Sequence, residues 1–176
     1  MQQQNFIVKS ANNNEVIVSG YASVFNSPDQ DNDIITKGTF TSGLDRQVKF
    51  LWQHDAKKPI GVIISLCEDE IGLKVEAQIN SKIETGKEAI ELIRQGAVNG
   101  LSIGFNILSS EYNELGQRII TEAELIEISI VTFPANKQAQ IHYIDNDGEL
   151  KKQEKSEYLK LKDVLKKLEF ITTKNY

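Results

Sequence analysis

The sequence predicts a mainly β domain, an antiparallel sheet or barrel carrying one helix. Three observations lead there. Short segments alternate apolar and polar residues, clusters of Asn, Asp, Ser, Pro and Gly punctuate them, and one stretch switches to helical spacing. Asn5–Lys9 and Glu15–Ser19 read as strands joined by the polar turn Ala11–Asn14, and Gly20–Phe25 continues the extended pattern. A loop follows over Asn26–Asp33. Val48–Gln53, Ile60–Leu66 and Leu73–Ile79 are the next strands.

The helix is expected from about Gly86 to Gln95, where Ala89, Ile90, Leu92 and Ile93 form an apolar stripe. Thr85 and Glu88 have the spacing of a capping box, and Gly96 offers a left-handed stop. Leu101, Ile103, Phe105 and Ile107 then alternate with Ser102, Gly104 and Asn106, the period of a half-buried strand. Glu114-Leu115-Gly116 reads as a hairpin turn leading into strands Arg118–Ile120 and Ala123–Thr132.

The chain has 176 residues, 40% hydrophobic and 26% charged, as in ordinary globular domains. A domain is expected over residues 1–148 and a charged helical tail over 149–176. Residues 1–148 carry 12 basic and 20 acidic side chains, whereas the last 28 residues carry 8 and 5. An acidic body argues against nucleic-acid binding, which needs clustered Lys and Arg. No apolar run approaches the roughly 20 residues of a membrane helix, so no membrane partner is expected. The start Met1-Gln2-Gln3-Gln4-Asn5 lacks the charge and apolar core of a secretory signal. Cys67 is the only cysteine and reads as a small buried strand residue. In the tail, Tyr158, Leu161, Leu165 and Leu168 make an amphipathic stripe, facing either the domain itself or another surface.

The run Gly100-Leu101-Ser102-Ile103-Gly104 spells Gly-x-Ser-x-Gly. A serine hydroxyl becomes nucleophilic only beside a base, which is in turn oriented by a third group. The chain offers two histidines, His54 and His142. His54 ends a strand and begins a polar turn, a better location for a site than mid-strand. Glu127 lies inside the apolar run Leu125–Val131, in which Ile126, Ile128 and Ile130 are expected to face one way and Glu127 and Ser129 the other. It either faces solvent or orients a histidine, since a carboxylate held among apolar residues needs a partner. A nucleophile elbow would require strand, sharp turn and then helix. Here the helix precedes the serine and the following residues alternate like a strand. Asp29-x-Asp31-x-Asp33 suggests a calcium loop, but Ile34 and Phe40 stand where Gly and Glu are required, so a polar turn is expected.

Four segments together resemble the phage prohead proteases, capsid-maturing enzymes that share a fold with herpesvirus assemblin. They are Gly20–Asn26 continuing through Asp33–Ile35 to Gly38–Phe40; Phe50–Asp55 with Pro59–Gly61; Gly100–Phe105; and Glu127–Asn136. The resemblance covers roughly Gly20 to Asn136. It implies a mostly antiparallel β-barrel flanked by helices and a serine endopeptidase with Ser102 as nucleophile and His54 as general base. Glu127 would be the third member, although a second histidine has that role in the herpesvirus relatives. His142 lies outside the matching segments. By analogy the turn Pro134-Ala135-Asn136 would supply oxyanion donors from Ala135 or Asn136. Implied substrates are major capsid protein or scaffold segments, and the tail itself by self-cleavage. A homo-oligomer such as a dimer, no cofactor, and a location inside the assembling procapsid in the bacterial host cytoplasm are also expected. The alternative is a capsid-assembly or scaffold module that keeps the fold without cleaving.

Overall fold

The computed structural model describes residues 15–41, 44 and 47–146. The expected strand Asn5–Lys9, the turn Ala11–Asn14 and the tail helix lie outside the described residues. Chain order is β1 (Glu15–Val24), β2 (Asp33–Ile35), β3 (Lys49–Trp52), β4 (Asp55–Glu68), β5 (Gly72–Asn80), α1 (Glu84–Arg94), β6 (Gly100–Tyr112), β7 (Arg118–Val131) and β8 (Ile141–Asn146). The architecture is mainly β with one helix among the described residues, a curled half-barrel. No helix among these residues is long and apolar enough to cross a membrane.

One sheet holds all eight strands in the order β2-β7-β3-β4-β5-β1-β8, with β6 also on β7. β6 runs antiparallel to β7 along its whole length, so β2 and β3 share the opposite edge of β7. Both pair with β7 in parallel, which departs from the antiparallel expectation. The physical reason is connectivity: β2 and β3 reach β7 from distant parts of the chain rather than through hairpins. The curl is closed at one point by the segment before β8. There Leu101 N–H donates to Ala139 O (3.0 Å), Ile141 N–H to Asn99 O (2.8 Å) and Tyr21 N–H to Gln140 O (3.2 Å), bridging β6 and β1.

Inside the curl lie Phe40, Phe50, Ile60, Leu73, Leu101 and Ile128, all buried. α1 packs Ala89, Ile90 and Ile93 over β4 and β5. The expected capping box is absent: Ile83 is the N-cap in an extended conformation with no side-chain cap. Helix formation from Glu84 leaves Thr85 already inside the first turn, where its hydroxyl cannot cap. The C-terminus follows expectation. Gly96 has φ 71°, its N–H donates to Ile93 O, and Ala97 N–H donates to Leu92 O, a Schellman pair.

Arg118–Ile120 and Ala123–Thr132, expected as two strands, form the single strand β7. A bulge explains its burial. Gly104 pairs with Glu127 but Phe105 pairs with Leu125, leaving Ile126 without a partner and exposed. The extra residue switches parity, so Ala123 and Leu125 share the core face with Ile128 and Ile130. The expected common face of Ile126, Ile128 and Ile130 is therefore corrected. Cys67 is in a strand but exposed, not buried: it pairs with Lys74 on a solvent-facing register of β4 and β5. β2 and β8 were not expected as strands.

Ile128 sits between Phe50 and Ile103 across the sheet. Ile128→Ala is expected to lower unfolding free energy by about 2–5 kcal/mol, as for other fully buried aliphatics cut to Ala. Urea denaturation checks this; a loss well under 1 kcal/mol would mean the β3–β7–β6 layer is not the core.

Candidate active site

β3 and β4 are joined by the two-residue loop Gln53-His54, with Trp52 paired to Asp55. Both loop residues are left-handed, at φ 55° and 58°. That is the type I′ geometry that matches strand twist and usually selects Asn or Gly. For two larger side chains it costs about 1–3 kcal/mol each and needs support from outside the loop. β7 provides that support. Gln53 N–H donates to Ile130 O (3.0 Å), and His54 N–H donates to Ser129 Oγ (3.1 Å). The Gln53 side chain closes a reciprocal pair with Thr132, donating from Nε2 to Oγ1 (2.9 Å) and accepting from the backbone N–H (3.2 Å).

The turn projects His54 over Glu127. His54 Nδ1 lies 2.6 Å from Glu127 Oε1, and Ser129 Oγ–H donates to Glu127 Oε2 at 2.6 Å. Both carboxylate oxygens are thereby satisfied, as an 8% exposed carboxylate in a strand interior requires. A carboxylate can only accept, so Nδ1 carries the hydrogen and the neutral ring keeps Nε2 bare. The His54 pKa is raised, chiefly by the hydrogen bond to Glu127 and further by its charge, with partial burial opposing.

Ser102 stands directly across from Ser129 in the β6–β7 ladder, so the two side chains share one face of the sheet with Glu127. Directly opposed residues hold their Cβ atoms about 4.5–5.5 Å apart. Among the described residues, no hydrogen bond joins Ser102 to His54. Ser102 is 5% exposed and borders a cavity of about 30 Å³. The two glycines of the Gly-x-Ser-x-Gly run have packing reasons. A Cβ on Gly104 would meet Glu127 Oε1 at 2.5 Å, and one on Gly100 would meet Val131 O at 2.7 Å and Pro134 Cδ at 2.8 Å. The serine lies within a continuous strand, not at an elbow.

The turn after β7 faces the same cavity through Ala135 and Asn136. Gln30 holds it from outside: its backbone N–H donates to Ala135 O (3.0 Å) and its Nε2 to Pro134 O (3.2 Å). In a trans peptide the N–H opposes the C=O. The N–H groups of Ala135 and Asn136 therefore point away from Gln30, and they donate to no described group. His142 is exposed on β8, edge-on to Tyr21 at 5.7 Å between centroids, away from this cluster. Asp29, Asp31 and Asp33 form a polar turn in which Asp29 Oδ1 accepts the N–H of Asp31 and of Asp33, both at 2.9 Å.

Of the residues singled out in the sequence, His54 and Glu127 are in direct contact, and Ser102 is on their face of the sheet. Ser129, Gln53, Thr132 and Gln30 were not anticipated. Only Ser129 carried a signal, its same-face spacing from Glu127.

A family model of caudovirus prohead serine proteases matches residues 4–154. The chain is 38% identical over 131 residues to the prohead protease of Enterobacteria phage HK97, covering 71% of this chain and 58% of that one. It is 34% identical over 132 residues to the prohead protease of Escherichia phage T5, covering 70% and 60%. The chain thus spans less than two thirds of the length of these relatives. Among solved structures, the bacteriophage T4 capsid assembly protease is similar at TM-score 0.50 and 13% identity, over 65% of this chain and 81% of that one. The KSHV protease, solved with a hexapeptide phosphonate inhibitor, is similar at TM-score 0.50 and 12% identity, over 83% and 75%. At such identities the likeness is one of fold.

The chain's two histidines make the imidazole titration easy to follow by NMR. In Glu127→Gln, the His54 midpoint is expected to move to lower pH, because the bond and charge that favour imidazolium are weakened. Equal midpoints in the two proteins would remove Glu127 as the cause of the raised value.

Proposed function

The chain belongs to the caudovirus prohead serine protease family, and from that premise we propose that it is a serine endopeptidase cleaving capsid or scaffold segments during prohead maturation. The observation that carries the reading is the His54–Glu127 contact on the sheet face that also bears Ser102. A purely structural assembly module has no need of a strained turn aiming a histidine at a buried carboxylate.

In the proposed mechanism Ser102 Oγ attacks the peptide carbonyl while His54 Nε2 takes its proton. Glu127 keeps the Nδ1 hydrogen in place and stabilises the imidazolium. Ser129 acts as a positioning residue, since it binds both the Glu127 carboxylate and the His54 backbone. The free N–H groups of Ala135 and Asn136 receive the developing oxyanion, a contribution of about 2.7–4 kcal/mol per donor in comparable enzymes. Gln30 supports this role by fixing the two carbonyls on the other side. Collapse of the tetrahedral intermediate returns the proton from His54 to the leaving amine and leaves an acyl-enzyme, which water hydrolyses by the same base. The Ser102–His54 hydrogen bond is made in the complex with substrate, where such catalytic contacts commonly tighten. Self-cleavage of the tail and action as a dimer within the procapsid belong to the same proposal, on the family resemblance alone.

An alkyl fluorophosphonate is expected to add one adduct to the wild type at Ser102 and none to Ser102→Ala, read by intact mass. Labelling that survives in Ser102→Ala would transfer the nucleophile elsewhere. The labelling rate should rise with pH as His54 loses its proton, with the limb above the ordinary histidine value of about 6.5. Glu127→Gln should move that limb to lower pH and reduce the plateau by roughly 10²-fold or more, as loss of the orienting carboxylate does in serine proteases. A plateau unchanged by the substitution would exclude Glu127 from the mechanism.

A further inference from the structure

Besides the free amides of Ala135 and Asn136, the cavity beside Ser102 has acceptor groups in its walls that the fold leaves unused. It is lined by β1, the loop before β2, β6 and the turn after β7. Part of its polar lining is occupied. Asp33 is held by Arg118 through two bonds, Nε to Oδ1 at 2.8 Å and Nη2 to Oδ2 at 2.6 Å. Asn136 donates to Val24 O and accepts from Gln138 N–H. Ser23 differs. Its hydroxyl is buried, with the residue 1% exposed, and has no hydrogen-bond partner. Buried polar groups are almost always paired, so an orphan on a cavity wall marks a place where a ligand completes the bonding.

Asp29 is the second group. Its Oδ1 is committed to the two backbone N–H groups of its own turn, while Oδ2 accepts from no described group. Burial raises its pKa against the lowering effect of the two backbone N–H bonds, and the neighbouring carboxylates of Asp33 and Asp31 add to the rise. The walls therefore hold two carboxylates and one nearby guanidinium, which is already spent on Asp33. What is missing is a hydrogen-bond donor carrying positive charge. The cavity, about 30 Å³, has room for a polar head group, since one water-sized group needs about 10–15 Å³. That admits an ammonium. Ile35, Ile103 and Phe105 supply apolar wall for the stem.

We propose that this cavity receives the side chain of the residue whose carbonyl Ser102 attacks, and that it selects lysine, with Asp29 and Ser23 accepting from the ammonium. The inference rests on the reading of Ser102 as nucleophile, which places the attacked residue and its side chain beside this cavity.

Acetyl-Ala-Ala peptide diphenyl phosphonates differing only in the last side chain, lysine against norleucine, test the proposal by their rates of adduct formation at Ser102. The wild type is expected to favour lysine by roughly tenfold or more, the usual effect of a charged hydrogen bond made in a desolvated site. Asp29→Asn keeps an Oδ1 for both turn bonds and should bring the ratio close to one. Ser23→Ala should lower it by a smaller factor, and carries the test with the wild-type ratio if Asp29→Asn does not fold. A wild-type ratio near one, or a ratio indifferent to both substitutions, overturns the subsite. Failure of the alkyl fluorophosphonate, which has no such side chain, to label wild-type Ser102 overturns the nucleophile assignment and the subsite with it.

Discussion

The bond between His54 and Glu127 is the constraint around which this domain is arranged. A carboxylate in the interior of a central strand is tolerable only with both oxygens paired, and here His54 and Ser129 pair them. That requirement propagates outward. Gly104 must lack a side chain because the Glu127 carboxylate fills the space above it. Gln53 and His54 must turn left-handed to bring the ring down, and a turn so strained must be tied to β7 through Ile130, Ser129 and Thr132. Each of these residues is explained by the one contact.

β7 is the element on which the parts meet. It presents Glu127 and Ser129, receives the His54 turn along one edge and carries Ser102 on β6 along the other. Its bulge at Ile126 lets the two halves of the strand keep one core face although the chain between them gains a residue. The turn that follows it, held by Gln30, contributes the free amides of Ala135 and Asn136 to the same cavity. Ser102, Glu127 and Ser129 stand within strands and His54, Ala135 and Asn136 in the turns beside them, while Ile128, Ile130 and Phe50 are buried beneath.

Much of this was legible in the sequence because it depends on local pattern. Alternation at Leu101–Ile107 identified β6, the apolar stripe identified α1, and a carboxylate in the run Leu125–Val131 stood out by its surroundings. Strand position near a polar turn separated His54 from His142. What escaped depends on pairing between distant segments. β2 has only three residues and is a strand because it meets β7. The bulge at Ile126 depends on how β6 and β7 register, so alternation alone misassigned that face. Thr85 and Glu88 have the capping spacing, yet the helix begins two residues too early for it. Cys67 is apolar in type but exposed in place, because β4 extends past the core toward solvent. No rule of composition would have found Gln30 or Thr132, whose roles exist only once the turns they hold have formed.

The parallel pairings of β2 and β3 with β7 have a kinetic consequence. Lys49–Trp52 can join Glu127–Ile130 only after more than half of the domain lies between them as a closed loop. Contacts of such sequence separation are slow to form. The imidazole therefore arrives late beside a carboxylate and a hydroxyl that the β6–β7 hairpin has already brought to one face.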